Sequence, residues 1–271
     1  MNVILITGGS GSLGQAITER LLKTDATAIR IFSNSESEQV RMKYGFEDKR
    51  LRYLIGDIRD NNRLKSAMYG VDTVFHLAAL KHVDVCEYNP IEAVKVNILG
   101  SINVVDAATE NGVDKLLAIS SDKAVHPVNV YGATKLTMEK IIIKSNGFRS
   151  TKFSVARFGN FEGSRDSLIQ WIFEQRKTGK ITVTHKDMAR FWISLSNASQ
   201  FCLDCVDMME GGEVFIPKME EKHVMTLVKE LAPECEIEFI GIREGERLRE
   251  YLYSEIETVD DKGEYFLVDS R

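Results

Sequence analysis

The sequence predicts an α/β fold, in which a doubly wound parallel sheet is followed by a smaller C-terminal lobe. From residue 2 to residue 157, short apolar runs alternate with segments of helical spacing, so that each strand can be followed by a helix. The first apolar run leads directly into a glycine-rich turn, Gly8-Gly9-Ser10-Gly11-Ser12-Leu13-Gly14. After residue 160 the alternation gives way to shorter, irregular segments. We therefore expect one domain over residues 1–160 and a lobe over residues 161–271, with some segments of the lobe returning to the sheet.

The composition is that of an ordinary globular protein, with 44% hydrophobic and 28% charged residues. A net charge of −5 gives no reason to expect nucleic acid or a membrane surface as a partner. No apolar run approaches the ~20 residues that span a bilayer, and no signal peptide is predicted.

Two of the four cysteines form the pair Cys202-x-x-Cys205, which is compatible with a redox motif or with half of a zinc site. The pair lies within residues 198–209, which have helical apolar spacing, and the sequence offers no second pair of ligands. We therefore favour two buried thiols on a core helix and expect no metal site. This cysteine usage indicates a reducing, cytoplasmic location.

The first strand, residues 2–7, runs into the glycine turn, and a helix over residues 15–23 follows. Glycines at positions 8, 11 and 14 permit a tight turn, close approach of the backbone to a pyrophosphate, and close packing of helix on strand. The N-terminus of the helix then offers free N–H groups to phosphates. The first domain is therefore predicted to bind a dinucleotide through Thr7, Gly8, Ser10, Gly11, Ser12, Leu13 and Gly14.

The second strand, residues 29–32, ends at Ser33-Asn34-Ser35. An acidic residue there would bind the ribose 2′-hydroxyl of NAD, but Ser33 and Asn34 are small hydrogen-bonding residues that suit a 2′-phosphate. The sequence thus favours NADP over NAD. Arg41 and Lys43 are either partners of that phosphate or part of a solvated helix face.

The third strand, residues 51–55, ends at Gly56-Asp57-Ile58. Asp57 is placed either to accept from the adenine amino group or to cap the helix that begins near Asn61. The fourth strand, residues 71–77, is followed by Ala78 and Ala79, which are small enough for a flat cofactor to lie against the backbone. The predicted cofactor-binding set also contains Ser33, Asn34, Asp57, Ile58, Ala78, Ala79, Lys81, Asn97, Tyr131 and Lys135.

A buried strand, Leu116 to Ile119, precedes Ser121 and a helix that begins near Tyr131. Tyr131 and Lys135 are four residues apart and project from the same helix face. A lysine ammonium beside a tyrosine favours the phenolate and lowers the tyrosine pKa, and Ser121 can bond the same substrate hydroxyl. Two exposed helix residues are the alternative, but the upstream glycine turn favours a catalytic pair.

The sixth strand, residues 152–157, ends at Phe158-Gly159-Asn160, and the ligand site of such a sheet lies at the C-terminal strand ends. In the smaller lobe, cations from separate segments are placed to converge on an anion, although any single arginine is equally compatible with a surface salt bridge. The last dozen residues are rich in Asp, Glu and Gly, and we expect them to be mobile.

Together, Thr7-Gly-x-x-Gly-x-x-Gly14, Ser121 and Tyr131-x-x-x-Lys135 resemble the extended short-chain dehydrogenase/reductase family of nucleotide-sugar enzymes, with its Rossmann sheet. Five further segments resemble the UDP-N-acetylglucosamine 4,6-dehydratases, in particular the inverting type that starts the route to pseudaminic acid for flagellin and surface glycans. These segments are Ala78-Ala-Leu-Lys-His82, Glu87-Tyr-Asn-Pro90, Ser121-Asp-Lys-Ala124, Arg190-Phe-Trp-Ile193 and Gly241-Ile-Arg-Glu-Gly-Glu246.

The resemblance implies a lyase that carries a tightly bound cofactor, regenerated in each turnover, and that forms a dimer or larger homo-oligomer. It assigns Lys123 as the base at C5 and Asp122 as the acid for the 6-hydroxyl, beside Ser121, Tyr131 and Lys135. It implies that the smaller lobe binds UDP-N-acetylglucosamine or a related nucleotide sugar, with a substrate set of Lys81, Asn160, Arg165, Arg190, Arg243 and Glu246.

Three positions depart from the family pattern. Asn34 stands where inverting enzymes often have an arginine for the 2′-phosphate. Asp166 and Gln170 replace a usual glycine and proline beside Arg165. The chain also ends earlier than many members of the family.

Two other functions remain open. A nucleotide-sugar epimerase or a retaining dehydratase would use the same glycine turn, Tyr131 and Lys135, but differs at positions 122 and 123. The second alternative is a cofactor-binding sensor without catalysis, which the intact Ser121, Tyr131 and Lys135 disfavour.

Overall fold

The computed structural model describes residues 3–148, 150–165 and 167–269. The strands are β1 Val3–Thr7, β2 Ala28–Ser33, β3 Leu51–Ile55, β4 Thr73–His76, β5 Lys115–Ser121, β6 Lys152–Phe158, β7 Asn160–Glu162, β8 Lys180–Val183, β9 Ala189–Ser194, β10 Glu213–Pro217, β11 Glu220–His223, β12 Glu236–Phe239, β13 Val259–Asp261 and β14 Tyr265–Asp269. The largest sheet has the order β13-β14-β10-β6-β5-β4-β1-β2-β3. From β10 to β3 all neighbours are parallel. The predicted doubly wound sheet is thus confirmed.

Helices cover both faces of this sheet. The α-helices are α1 Ser12–Leu21, α2 Glu36–Gly45, α3 Asn61–Met68, α4 Val83–Tyr88, α5 Pro90–Ala93, α6 Ser101–Glu110, α7 Val130–Lys144, α8 Leu168–Arg176, α9 Leu195–Met208 and α10 Val224–Leu231, of which α8 and α10 belong to the smaller lobe. On β1, Ile4 and Ile6 share one apolar core with α1 and α9, whereas Leu5 shares the other with α3 and α6. A central strand covered on both faces is apolar at every position, which is why β1 was recognisable in the sequence.

Helix α9 carries Cys202 and Cys205, both fully buried, so the prediction of two core thiols is confirmed. Burial raises the pKa of both thiols, and they therefore remain protonated at neutral pH. Among the described residues, no group of His, Cys, Asp and Glu side chains could hold a metal ion. No helix in those ranges is both long and apolar enough to cross a bilayer.

The smaller lobe begins where β6 ends. It contains a three-stranded sheet, β11-β9-β7, and a parallel pair, β12-β8. Its core packs α8 and α10 against these strands through Ile172, Ile181, Trp192 and Leu227. Strand β10, by contrast, pairs with β6 in the large sheet. This part of residues 161–271 therefore belongs to the sheet of the first domain.

Strands β13 and β14 are also part of the large sheet, so the mobility expected from composition was wrong for residues 260–269; residues 270 and 271 lie outside the described residues. Strand β14 is antiparallel to β10, with Val268 opposite Val214, and β13 adds to its other side. Val268 is buried, while Asp261 pairs with Lys218 at 2.9 Å. The acidic residues thus belong to the solvated side of the β13–β14 hairpin. The alternation of apolar and polar residues in these strands was too short to reveal the hairpin from the sequence.

Candidate active site

The glycine turn joins β1 to α1 with little room for side chains. Gly8 has φ +67°, and a Cβ built on it would lie 2.8 Å from the backbone nitrogen of Ala78. A Cβ on Gly14 would lie 2.5 Å from the carbonyl oxygen of Gly9. Gly8 therefore lets the turn approach the segment after β4, and Gly14 lets α1 pack directly on the turn.

Thr7 supports this arrangement from inside the protein. It is fully buried, and its Oγ1 accepts from the backbone N–H groups of Leu77 and Ala78 at 3.2 and 3.4 Å. The same oxygen bonds His76 Nδ1 at 2.7 Å, and burial lowers the pKa of His76 to about 3. Thr7 thus positions the cleft wall instead of reaching a ligand.

A cleft of about 1210 Å³ opens at the C-terminal ends of the parallel strands. The predicted residues that line it are Gly8, Ser10, Gly11, Ser12, Leu13, Gly14, Ser33, Asn34, Asp57, Ile58, Ala78, Ala79, Lys81, Ser121, Lys123, Tyr131, Lys135, Asn160 and Arg165. The remaining predicted residues lie outside this lining: Thr7, Asn97, Asp122, Arg190, Arg243 and Glu246.

Asn97 braces the cleft wall from a π-helical segment, Val94–Gly100, between α5 and α6. Its side chain accepts from Leu80 N at 2.8 Å and donates to Leu80 O and to Thr134 Oγ1, both at 3.0 Å. Asn97 is buried, so it ties the segment after β4 to α7 and does not face the cleft.

At the β2 end of the cleft, Ser33 Oγ accepts from Ser10 Oγ at 2.8 Å and from Ser35 N at 3.3 Å. Asp57 receives two bonds from the guanidinium of Arg59, at 3.0 and 2.8 Å, and these hold the pKa of Asp57 below its usual range. The cap of α3 is Asp60, not Asp57. Sequence reasoning missed Arg59. The sequence shows that Arg59 is close to Asp57, but only the structure shows that both side chains line the cleft.

Arg165 lies against the glycine turn. Its guanidinium donates to Ser10 O at 2.6 Å, and its backbone N–H donates to Ser12 Oγ at 3.0 Å. It also forms an ion pair with Glu38, whose other oxygen binds Arg41 at 3.0 Å. Lys81 Nζ donates to the carbonyl of Arg165 at 2.9 Å. Arg165, predicted to bind substrate, therefore sits on the cofactor side of the cleft, and Glu38 is a cleft residue that the sequence did not reveal.

Of the two departures near Arg165, Asp166 lies outside the described residues. Gln170 lines the cleft in the first turn of α8, where its backbone N–H donates to the capping hydroxyl of Ser167 at 3.3 Å.

At the other end of the cleft, the start of α7 packs on a 3₁₀ turn, Asp122–Ala124, which follows β5. A Cβ on Gly132 would lie 2.0 Å from the carbonyl oxygen of Lys123, so the contact requires glycine. Asn129 caps the helix by accepting from Gly132 N at 2.7 Å. This packing places Tyr131 near Ser121.

The electrostatics of Tyr131 differ from the prediction. Burial raises the pKa of Tyr131 to about 12, although Lys123 and the Ser121 hydrogen bond act in the opposite direction. Lys135 donates from Nζ to Ile119 O at 2.7 Å, and burial lowers its pKa to about 8. In the unliganded site Tyr131 is therefore a phenol, because burial outweighs the neighbouring cations.

Lys123, which is partly buried, and Asp122, which is fully buried, form an ion pair beside Tyr131, with 3.0 Å between Lys123 Nζ and Asp122 Oδ1. The same oxygen accepts from Ser121 Oγ at 3.0 Å, while Oδ2 has no partner among the described residues. Glu250 is the unexpected member, with Oε1 3.6 Å from Lys123 Nζ. Burial lowers the pKa of Lys123, but Asp122 and Glu250 outweigh it and the net change is a raised pKa.

Arg190 and Arg243, two members of the predicted substrate set, do not line the cleft in this structure. Arg190 is buried in β9 and donates to the carbonyls of Ala189 and Leu248, at 2.7 and 3.2 Å. Arg243 is exposed, and its backbone N–H donates to the carboxylate of Glu246 at 3.0 Å, closing a local turn.

A doubly wound sheet with a glycine turn after β1, and with Ser121, Tyr131 and Lys135 at one cleft, defines a protein of the short-chain dehydrogenase/reductase type. The chain belongs to the family described as polysaccharide biosynthesis protein, whose sequence model matches residues 4–269.

Among its relatives, the inverting UDP-N-acetylglucosamine 4,6-dehydratase of Campylobacter jejuni is 46% identical over 257 residues, covering 93% of this chain and 77% of the relative. The UDP-glucose 4-epimerase of Rickettsia massiliae is 40% identical, covering 98% of this chain and 82% of the relative. The crystal structure of Pen from Bacillus thuringiensis is 40% identical and superposes with a TM-score of 0.95, covering 99% of this chain and 89% of that one. The family resemblance drawn from the motifs is confirmed.

Proposed function

We propose that the protein is a nucleotide-sugar 4,6-dehydratase that converts UDP-N-acetylglucosamine to a 6-deoxy-4-keto sugar with inversion at C5. The observation that carries this proposal is the ion pair between the buried Asp122 and the partly buried Lys123, 3.0 Å apart, beside Tyr131. Removal of water needs an acid for the leaving hydroxyl and a base for the proton at C5, whereas exchange of configuration at C4 needs neither.

A dinucleotide fits the cleft, because the turn has no Cβ at Gly8 or Gly14 and the two residues after Leu77 are the small Ala78 and Ala79. Gly11, Ser12 and Leu13 would hold the diphosphate, and Asp57 the adenine. When bound, a nicotinamide cofactor would supply the hydride acceptor for C4 and the hydride donor for C6.

We propose NADP as the preferred cofactor. The rim of the cleft at Asn34 and Ser35 carries two cations, Arg41 and Arg165, which both pair with Glu38. Such a rim suits a 2′-phosphate.

Tyr131 acts as the base for the 4-hydroxyl of the sugar. Because its pKa is raised by burial, proton removal needs positive charge nearby, which Lys123 supplies. Lys135, one helical turn further along α7, is a second cation that lines the same cleft. With a pKa of about 8, Lys135 is still mostly protonated at neutral pH. Ser121 bonds the same hydroxyl and keeps it in line with Tyr131.

Asp122 and Lys123 act after C4 has become a ketone. Transfer of one proton from Lys123 Nζ to Asp122 Oδ1, along their existing hydrogen bond, converts the ion pair into a neutral amine and a carboxylic acid. The amine takes the proton from C5, which the 4-keto group acidifies, and the acid protonates the departing 6-hydroxyl, which leaves as water. C5 is then reprotonated, and inversion requires that this proton arrive on the face of the ring opposite to Lys123.

Proton NMR of the purified protein with UDP-N-acetylglucosamine in deuterated water tests this proposal. A 6-deoxy-4-keto product with deuterium at C5 supports dehydration, and the ring couplings report whether C5 is inverted or retained. A changed configuration at C4 without loss of water would instead establish an epimerase, the activity named for the Rickettsia relative. Cofactor binding without any turnover would favour a sensor.

Four further predictions belong to this proposal and rest on the family resemblance. They are a role in the pseudaminic acid route, a cytoplasmic location, assembly into a homo-oligomer, and substrate contacts from Lys81, Asn160, Arg165, Arg190, Arg243 and Glu246.

A further inference from the structure

Glu250 places a carboxylate at Lys123 from a distant, irregular part of the chain. It lies between β12 and β13, and it is only 7% exposed, although its neighbours Arg249 and Tyr251 are exposed. Burying an ionised carboxylate is costly unless an opposite charge accompanies it. Glu250 has such a partner in Lys123, 3.6 Å away.

Lys123 therefore has two carboxylate neighbours, and the proposed chemistry gives them different tasks. Asp122 must be protonated to release the 6-hydroxyl as water, and in that form it no longer balances a charge on Lys123. At that stage Lys123 has taken the C5 proton and is an ammonium. Arg190, which acts on Lys123 with a like charge, opposes this ammonium. Glu250 is the carboxylate that remains ionised to stabilise it.

We propose that Glu250 is a positioning residue that acts through Lys123, holding its Nζ in place and stabilising the ammonium that forms when Lys123 takes the proton from C5. The role at C5 rests on the proposed function, whereas the effect of Glu250 on Lys123 itself does not. The two parts can therefore be tested separately.

The first test measures the titration of Lys123 without any substrate. Lysines of the whole protein are acetylated competitively with acetic anhydride at a series of pH values, and the labelled peptides are quantified by mass spectrometry. In Glu250→Gln the labelling midpoint of Lys123 is expected to fall by about one pH unit or more, because an opposite charge within 4 Å is lost. Glu250→Asp should restore part of the shift.

Two controls accompany this measurement. Glu255→Gln removes an exposed carboxylate from the same segment, one that bonds His126 at 2.8 Å, and should leave the Lys123 midpoint unchanged. The midpoint of the buried Lys135 reports whether the cleft is intact in each variant. An unaltered Lys123 midpoint in Glu250→Gln would overturn the proposal.

The second test uses UDP-N-acetylglucosamine. In the active form, Asp122 and Lys123 share one proton. Activity is lost at alkaline pH when this proton is removed from Lys123. Glu250→Gln should therefore move the alkaline limb of kcat/KM to lower pH. We expect kcat to fall about tenfold with little change in KM, since a weaker base slows proton removal at C5. An unmoved alkaline limb would refute the role at C5. If the unaltered protein does not turn over this substrate, the proposed function fails while the labelling result still decides the role of Glu250.

Discussion

Arg165 and Glu38 form an ion pair that joins the loop after β7 to the first turn of α2, while the same guanidinium bonds the carbonyl of Ser10 in the glycine turn. The pair lies at the part of the cleft where the ribose 2′ position of a dinucleotide is expected. Glu38 thus restrains two arginines, Arg41 and Arg165, that would otherwise attract a phosphate.

Replacing Glu38 by Gln should therefore raise the affinity for NADP relative to NAD by about fivefold or more, because a carboxylate no longer competes with the 2′-phosphate. Isothermal titration calorimetry of the cofactor-free protein with each dinucleotide measures this ratio. Glu36→Gln, at an exposed position in the same helix turn, is the matched control. A ratio that falls in Glu38→Gln would show that Glu38 binds the ribose hydroxyls of NAD instead.

Lys123→Ala should abolish dehydration, with kcat reduced by about 10²–10⁴-fold, because the site loses its base for C5. Deuterium incorporation at C5, followed by NMR, measures the affected step. Lys140→Ala, on the exposed side of α7, should retain full activity. Persistent C5 exchange in Lys123→Ala would assign the base to another group.

Gly14→Ala should weaken dinucleotide binding and lower the free energy of unfolding by about 1–3 kcal/mol, since its Cβ would collide with the carbonyl of Gly9. Gly45→Ala, in α2, serves as the control, because no described atom lies within 4 Å of a Cβ at that position. Thermal unfolding and cofactor titration of both variants make the comparison. Equal behaviour of the two proteins would mean that α1 can move away from the turn without cost.

The ion pair between Arg157, in β6, and Glu257 should make the stability of the protein depend on pH. Burial raises the pKa of Glu257, but two bonds from Arg157, at 3.1 and 2.8 Å, outweigh it and hold that pKa below its usual range. A carboxyl whose pKa is depressed by folding stabilises the protein above its unfolded pKa of about 4.3, and this stabilisation is lost as the pH falls through the folded pKa. Urea unfolding at neutral and acidic pH should show a smaller acid-induced loss in Glu257→Gln. An equal loss in both proteins would assign the acid sensitivity to other carboxylates.

The parts of the fold that the sequence predicted are those with a local cause. Strand β1 is apolar throughout because helices cover both of its faces, and Gly8 and Gly14 are glycines because backbone atoms lie where a Cβ would be. Tyr131 and Lys135 share a helix face by spacing alone.

The residues that sequence reasoning missed depend on distant partners. Glu250 is one acidic residue among several in an irregular segment until the fold brings it to Lys123, 127 positions earlier in the chain. In the sequence, Glu38 looks like any carboxylate in the first turn of a helix. Only the structure shows that it pairs with Arg165 of the smaller lobe. Arg243 and Glu246 were named from the family resemblance, and the structure adds only that a short-range bond between them closes a turn.

The burial of the cysteines has a practical consequence for spectroscopy. Cys86, Cys202 and Cys205 are fully buried, whereas Cys235 is partly exposed just before β12 in the smaller lobe. A maleimide dye added to the native protein should therefore attach at Cys235 alone, with no engineered substitution. Such a dye would report by fluorescence how the lobe responds when a nucleotide sugar enters the cleft.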